Sequence, residues 1–263
     1  LFVASLVSLA LFLYWEWHNP HPMLDLRLFK YKSYLSTLIV SFVVGCGIYG
    51  STYLLPLFMQ TIQGVTPTNS GLLFLPGGLM MVIIFPLAGR LSDSYSHRNL
   101  IMLGLSIFAF STYMILNIDV NTPLSWVILS VLISRIGLGL IFPVLSVAAV
   151  NALPLNMLAQ GSGTVNFMRQ VGGAFGINIL ASSLTQHSSL FSSQFISDQR
   201  WNNDASVELM YQVSGMLENA GTQPQLIEPG AIHYLIQLTE QQASIFGFQY
   251  GFYLTLIIFI AAL

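Results

Sequence analysis

The sequence has 263 residues, of which 54% are hydrophobic and only 7% are charged, and its formal net charge at pH 7 is −2. It is more apolar than an ordinary soluble domain, and no excess of basic residues points to nucleic-acid binding. The single cysteine, Cys46, excludes a disulfide framework within the chain and, inside an apolar run, predicts a small core residue.

Long apolar runs follow one another along the chain, and a helix needs about 20 apolar residues to cross a hydrocarbon core. The predicted spans are residues 1–15, 35–59, 71–90, 100–117, 124–150, 158–185 and 244–263. None contains Asp, Glu or Lys, and they lack the polar outer faces that helices of a soluble protein need. The sequence therefore predicts an all-α polytopic membrane protein. Because the first run has no initial methionine, basic n-region or cleavage site, we expect a fragment of a longer protein.

Basic residues in the connections predict the orientation, because Lys and Arg of short loops stay on the cytoplasmic side. One set of alternating connections carries Arg27, Lys30, Lys32, Arg90 and Arg98, and the other carries only Arg200. Connections 16–34, 90–99 and 151–157 are therefore predicted to be cytoplasmic, together with the C-terminus. Segment 186–243 is predicted to lie outside.

Residues 45–50, GCGIYG, match the G-x-G-x-x-G spacing of dinucleotide-binding loops. They lie inside a predicted span without a preceding strand, and no acidic residue follows before Asp93, so the cofactor interpretation fails. The small residues instead predict a close approach of two helices. We predict no cofactor and no metal site, and we interpret His18 and His21 as part of an interfacial loop.

The stretch PLAGRLSDSYSHRNLIML, residues 86–103, places charges between two apolar spans. Its Gly89, Leu91, Asp93 and Arg98 resemble the G-x-L-x-D-x-x-G-r-[KR] loop motif of the major facilitator superfamily, which joins the second and third helices of a six-helix half. In this interpretation the glycine permits close helix approach, and the carboxylate meets a helix N-terminus or a neighbouring Arg to latch one conformation. Serines replace the usual base at 94 and the second glycine at 96, which predicts a weaker latch. A topology signal alone is the alternative.

Three further segments extend the resemblance to fourteen-helix drug:proton antiporters of the EmrB/QacA type. HPMLDLRLFKYKSY (21–34) is similar to the linker that enters their C-terminal half, and YLLPLFMQ (53–60) and RQVGGAFGINI (169–179) resemble the first and fifth helices of that half. The implied domains are the end of an extra linker helix (1–17), a cytoplasmic connection (18–34) and a C-terminal six-helix bundle (35–263) with the extracytoplasmic loop 186–243.

Span 158–185 carries Arg169 near its middle, and Asn166 and Gln170 share its helical face. A mid-membrane arginine is costly and usually faces a bundle interior or an aqueous cavity. These three residues are therefore candidates for a substrate path or gate, with a structural arginine bonded to carbonyls as the alternative. Arg135, in span 124–150, is a further candidate with fewer polar neighbours, and we favour a structural role for it.

Segment 186–243 is too polar to span a membrane. A short amphipathic helix is predicted at 202–221, with Val207, Tyr211, Ser214 and Leu217 on its apolar face. Pro229-Gly230 is predicted to open a second helix before the last span, with His233, Gln237 and Glu240 on one face. We favour a passive packed loop over a substrate lid.

The resemblance implies proton-driven efflux of drugs or other small amphipathic molecules by alternating access in a bacterial inner membrane. Its implied partners are the substrate, protons, the lipid bilayer, the missing N-terminal half and a periplasmic adaptor protein. Because all ten acids fall outside the predicted spans, we expect the coupling carboxylate in the missing half. A carrier of one particular metabolite is the alternative. A subunit of an energy-converting complex would need Lys, Glu or His at the midplane of the membrane, where this sequence has only arginines. An enzyme would need convergent reactive groups, which the sequence does not show either, so both classes are disfavoured.

Overall fold

A computed structural model of the chain describes residues 7, 8, 10, 11, 14, 15, 28, 30–154, 157–198, 204–221 and 223–263. The predicted linker helix at 1–17 and the connection at 18–34 lie largely outside these residues. His18, His21, Arg27 and Arg200 lie outside them as well.

Every long element in the described ranges is an α-helix, which confirms the all-α prediction. The helices are α1 (Lys32–Thr61), α2 (Pro67–Leu72), α3 (Leu75–Ser94), α4 (His97–Met114), α5 (Leu124–Asn151), α6 (Leu158–Asp198), α7 (Asp204–Asn219) and α8 (Pro224–Ala262). The predicted span 71–90 is thus divided between α2 and α3. Thr66 caps α2 by accepting a hydrogen bond from the Asn69 amide, and Pro67 takes the first turn, where its missing N–H costs nothing.

Four stretches are long and apolar enough to cross a membrane: Lys32–Thr61, Pro67–Ser94, Leu124–Asn151 and Pro224–Ala262. The other two predicted spans within the described residues, 100–117 and 158–185, overlap α4 and α6, which are less apolar; α4 ends at Met114, and α6 continues past 185 to Asp198. His97, Arg98 and Asn99 occupy the first turn of α4. Helix α6 is less apolar because polar residues such as Gln160, Asn166, Arg169, Gln170 and Asn178 lie within its predicted span.

Helices α6 and α8 are longer than a bilayer requires, with 41 and 39 residues. At a rise of 1.5 Å per residue each measures about 60 Å, twice the thickness of a hydrocarbon core. Both helices are therefore long enough to extend past a membrane. The predicted second helix starting at Pro229 is wrong, since α8 begins at Pro224 and continues without a break through Pro229 to Ala262. Pro229 lies near the start of the helix, where it removes only one backbone hydrogen bond.

The bundle is held by α6 packed along α1 and α8, and by α5 packed along α3 and α4. Buried apolar residues form three clusters along its length, centred on Phe58 and Phe252, on Phe108 and Phe259, and on Tyr34 and Leu38. In the second cluster the rings of Phe108 and Phe259 stack with their centres 4.2 Å apart. The Tyr34 hydroxyl donates a hydrogen bond of 2.7 Å to the Gly161 carbonyl and so ties α1 to the start of α6.

Helix α7 confirms the predicted short helix and packs on α8, with three of the four predicted residues on the packed face. Its least exposed described side chains are Val207, Met210, Val213, Ser214 and Leu217. Tyr211 is 73% exposed, so its assignment to the packed face is wrong. At 3.6 residues per turn Val213 and Met210 lie closer to the centre of this face than Tyr211 does.

Candidate functional site

The face of α6 that no other described helix covers carries amide and hydroxyl side chains next to apolar ones. Its exposed positions within the predicted span recur every three or four residues: Gly163, Asn166, Gln170, Ala174, Asn178, Ser182 and Thr185, which we call the polar face of α6. Phe167, Phe175 and Ile179 border it. The exposed side chains along the membrane part of α3 are apolar by contrast, as Leu79, Val82 and Ile83 show. Asn166, Asn178 and Thr185 donate hydrogen bonds to carbonyls one turn earlier in α6. Because amide groups have further donors and acceptors that lipid does not satisfy, this face is better suited to water or further protein, whereas α3 is suited to lipid.

Arg169 lies beside this face, and its guanidinium group contacts two side chains. Nη2 donates a hydrogen bond to Oδ1 of Asn166 on the preceding turn. The guanidinium carbon lies 4.5 Å from the centre of the Phe142 ring on α5, which is a cation–π contact. These contacts offset part of the about 2.5–3.5 kcal/mol that an arginine costs at the bilayer centre. Gln170 is exposed on the polar face.

Three glycines bring the backbones of α1 and α6 into contact and thereby fix the position of Arg169. A Cβ added at Gly45 would lie 2.9 Å from the carbonyl carbon of Arg169 itself. One added at Gly172 would lie 2.8 Å from the carbonyl carbon of Phe42, and one at Gly176 would lie 2.6 Å from the Cα of Cys46. Since the obstacles are backbone atoms, a side chain there requires the helices to separate. This confirms the close approach predicted for GCGIYG, and buried Cys46 is confirmed as a core residue.

Arg135 has different surroundings. Its guanidinium carbon lies 5.6 Å from the centre of the Phe74 ring, and its Cγ lies 2.7 Å from the position of a Cβ added at Gly77. It also lines a cavity of about 30 Å³, which has room for one or two water molecules. The other polar side chains of this cavity are the hydroxyls of Ser51, Thr52, Ser111, Thr112, Ser130 and Ser134. Among the described residues, Arg135 stacks on Phe74 and Arg169 on Phe142, so the two arginines are not joined in one site there.

The loop motif Gly89, Asp93 and Arg98 does not form a closed cluster. In the described part of the chain Asp93 is exposed and pairs with no basic side chain, so the predicted contact with an Arg is not made here. A Cβ added at Gly89 would meet no atom within 4 Å. Within the described residues no helix approaches Gly89 closely, so the close approach there stays a prediction.

Ser96 has a structural role that the sequence analysis missed. Its side chain accepts a hydrogen bond from the Asn99 amide at 3.4 Å and forms the N-cap of α4. A serine directly before a helix is a common N-terminal signal, so this role could have been found from the sequence. Ser96, which replaces the second glycine of the motif, therefore caps the start of α4.

An aromatic cluster, also missed, joins α6 to α8 where the predicted span 158–185 ends. The ring centres of His187 and Tyr250 lie 3.6 Å apart, and those of Phe191 and Phe246 lie 5.5 Å apart. Nearer the start of α8, Gly230 leaves room for the side chain of Leu217 on α7. These contacts pack the ends of α6 and α8 against each other and α7 against α8.

Comparison with known proteins places these features in a family. Residues 1–177 match the family model of the Major Facilitator Superfamily. The uncharacterized MFS-type transporter YhcA of Bacillus subtilis (strain 168) is 28% identical over 82% of this chain and 41% of its own length. The colistin resistance protein EmrB of Acinetobacter baumannii is 25% identical over 88% of this chain and 45% of its own length. The tetracycline resistance determinant of Streptomyces rimosus is 32% identical over 69% of this chain and 53% of its own length.

The chain therefore spans about half the length of the curated relatives that it matches. The family match covers α1 to α5, the charged turn after α3, and the first part of α6 with Arg169. With its helical membrane fold, this chain belongs to the major facilitator superfamily.

Proposed function

We propose that this chain forms the C-terminal half of a proton-driven exporter of drugs or other small amphipathic molecules, which works by alternating access. In this proposal residues 35–263 are a six-helix bundle with the extracytoplasmic segment 186–243. Residues 1–17 end a linker helix, and residues 18–34 form a cytoplasmic connection. The protein is a transporter and not an enzyme.

The observation that carries this proposal is the polar face of α6. Alternating access requires two helical bundles that rock around a site near the midplane of the membrane. A polar helix face that its own bundle leaves uncovered fits the side of that site. Asn166, Arg169 and Gln170 are then substrate-path or gating residues. Arg135 then has a structural role beside the cavity of about 30 Å³.

The substrate class rests on the relatives. Their names refer to resistance to colistin, lincomycin and tetracycline and to multidrug transport. These names support export of antibiotics or similar amphipathic molecules by the whole protein. Proton coupling requires an intramembrane acid or histidine, which the predicted spans of this chain lack. The coupling carboxylate therefore belongs to the N-terminal half.

The test is transport by the full-length protein in inverted membrane vesicles. Acidification of the vesicle interior should drive uptake of tetracycline or a hydrophobic dye, and dissipation of the pH gradient with nigericin should stop it. Uptake of a single metabolite with no response to drugs would contradict drug export and favour the alternative carrier.

The proposed orientation places the protein in the bacterial inner membrane with its C-terminus in the cytoplasm. Cysteines introduced by Phe29→Cys and Ser94→Cys should be shielded from an impermeant thiol reagent added to intact cells. Those introduced by Arg200→Cys and Glu218→Cys should be labelled, where a periplasmic adaptor protein would also have access. The native Cys46 is buried and gives little background. Labelling of Ser94→Cys from outside would reverse the orientation.

Asp93→Asn in the full-length protein should lower the transport rate severalfold without reducing membrane insertion. Asp93 is exposed and unpaired within the described residues, so its partner in the latch is expected in the N-terminal half. The control is Asp119→Asn, since Asp119 accepts a local hydrogen bond of 2.7 Å from Thr122 that an amide oxygen also accepts. Equal initial rates for both variants in inverted vesicles would reduce the motif to a topology signal.

A further inference from the structure

One face of α1 stays uncovered, although this helix packs against α5, α6 and α8. Between residues 45 and 59 the exposed side chains are those of Tyr49, Thr52 and Tyr53 alone. These residues are three and four positions apart and therefore share one side of the helix, which we call the tyrosine face of α1. Since the predicted span 35–59 is centred on residue 47, a rise of 1.5 Å per residue places this face about 3–9 Å from the middle of the span.

The tyrosine face adjoins the surroundings of both arginines. A Cβ added at Gly173 of α6 would lie 2.8 Å from Cγ of the Tyr49 ring, so this glycine leaves room for the ring. Gly173 follows Arg169 by one helical turn. Thr52 lines the cavity of about 30 Å³ together with Arg135. A molecule on the tyrosine face therefore lies next to the turn of α6 that carries Arg169 and next to the cavity of Arg135.

Another tyrosine shows that exposure alone does not define such a face. Tyr253 on α8 is 51% exposed and lies in the middle part of the last predicted span. Phe246, seven residues before it, and Ile257, four residues after it, are exposed on the same stripe. This stripe is apolar and is suited to lipid. The tyrosine face of α1 differs because glycine, hydroxyl and arginine residues surround it.

The chemistry of the tyrosine face suits a planar molecule with oxygen atoms. Residues four positions apart on a helix have Cβ atoms about 5–6 Å apart, so one fused ring system can cover the rings of both Tyr49 and Tyr53. Aromatic rings prefer offset stacking, which leaves the phenol oxygens at the edge of the contact. Within the described residues neither hydroxyl makes a hydrogen bond, so both are available to donate to a ligand.

We propose that Tyr49 and Tyr53 bind a planar ring of the transported drug by stacking, and that their hydroxyls donate hydrogen bonds to its oxygen atoms. This inference rests on the proposed export function and deepens it, because it identifies residues that select fused-ring substrates. The polar face of α6 then lies beside the bound drug, where Arg169 and Gln170 contact its polar groups.

The test is equilibrium binding of radiolabelled tetracycline to the full-length protein in nanodiscs, with empty nanodiscs as the background. Tetracycline has fused rings with phenol and keto oxygens, and its binding is measured without a proton gradient. Tyr49→Leu and Tyr53→Leu each keep an apolar side chain but lose the ring, so each should weaken binding about three- to tenfold. Tyr49→Phe keeps the ring and should weaken binding less. The matched control Tyr253→Leu should bind tetracycline with wild-type affinity.

Gly173→Ala tests the position of the Tyr49 ring. The added methyl group displaces the ring, so it should weaken binding in the wild-type background. In the Tyr49→Leu background it should add little, because the effects of two residues in contact are not additive. The midpoint of thermal unfolding without drug identifies a variant that folds poorly. If Tyr49→Leu is such a variant, Tyr53→Leu and Tyr49→Phe decide the result.

Wild-type affinity in Tyr53→Leu and Tyr49→Leu, or an equal loss in Tyr253→Leu, would overturn the tyrosine face as a binding surface. So would the absence of saturable tetracycline binding to the wild type. Saturable binding that the leucine variants weaken, without uptake driven by a pH gradient, would support the tyrosine face and contradict proton-driven export alone.

Discussion

Arg169→Ala should lower the initial rate of drug uptake by about tenfold or more, a loss of about 1.4 kcal/mol or more. The variant removes the hydrogen bond to Asn166 and the contact with Phe142, and it leaves the polar face without its charge. The amount of protein in the membrane should be unchanged, because removal of a costly intramembrane charge does not impede insertion. Arg169→Lys should restore transport only in part, since lysine keeps the charge but loses the planar donor geometry. The rates are measured in inverted vesicles and normalised to transporter content.

Phe142, whose ring contacts the guanidinium group of Arg169, allows the cation–π contact to be tested separately from the charge. Phe142→Leu keeps an apolar side chain but removes the cation–π contact, so it should slow transport severalfold. Phe110→Leu is the control, since Phe110 is a 56% exposed aromatic residue on α4 with no such contact among the described residues. Wild-type rates in Arg169→Ala would assign the arginine a purely structural role and remove it from the substrate path.

Gly172→Ala and Gly176→Ala should each destabilise the protein by about 1–3 kcal/mol or more, because a Cβ at either position collides with the backbone of α1. We expect a lower midpoint of thermal unfolding for both variants of the full-length protein in detergent. The control makes the same substitution at Gly78 on α3, where an added Cβ meets no atom within 4 Å. Gly78→Ala should leave the midpoint unchanged or raise it, because alanine favours a helix by about 1 kcal/mol over glycine.

The opposite signs of these effects separate close helix packing from a general intolerance of substitution. If Gly176→Ala unfolds at the same temperature as Gly78→Ala, the backbones of α1 and α6 are not in contact. Arg169 would then lack the fixed position on which its proposed role depends.

Hydropathy predicted the membrane helices because a helical run of about 20 apolar residues fits few environments other than a hydrocarbon core. The polar stripe around Arg169 followed from helical spacing, and the glycines of GCGIYG indicated close approach because no strand or acid supported a nucleotide site. These predictions depend on the sequence of one helix at a time. The partner of Gly45 on α6 and the Phe142 ring against Arg169 are contacts between distant segments, and a single sequence does not identify them.

The ends of α6 and α8 were predicted incorrectly for a physical reason. Hydropathy marks where a helix leaves the membrane, whereas Gly, Pro and capping residues mark where it stops. Residues 186–198 contain neither Gly nor Pro, so α6 continues after its apolar part ends. Pro224, not Pro229, takes the first turn of α8. Tyr211 was assigned to the packed face of α7 from its spacing, but the smaller Val213 is the buried residue.

The most direct test of the central claim is the reactivity of cysteines on the polar face of α6 in the full-length protein. In a Cys46→Ala background, Gln170→Cys and Asn178→Cys should react with a small water-soluble thiol reagent, and a transported drug should slow the reaction. Val82→Cys on α3, which is 70% exposed in this chain but predicted to face lipid, should not react. Unreactive cysteines at 170 and 178, or reaction that no transported drug slows, would contradict a substrate path along α6.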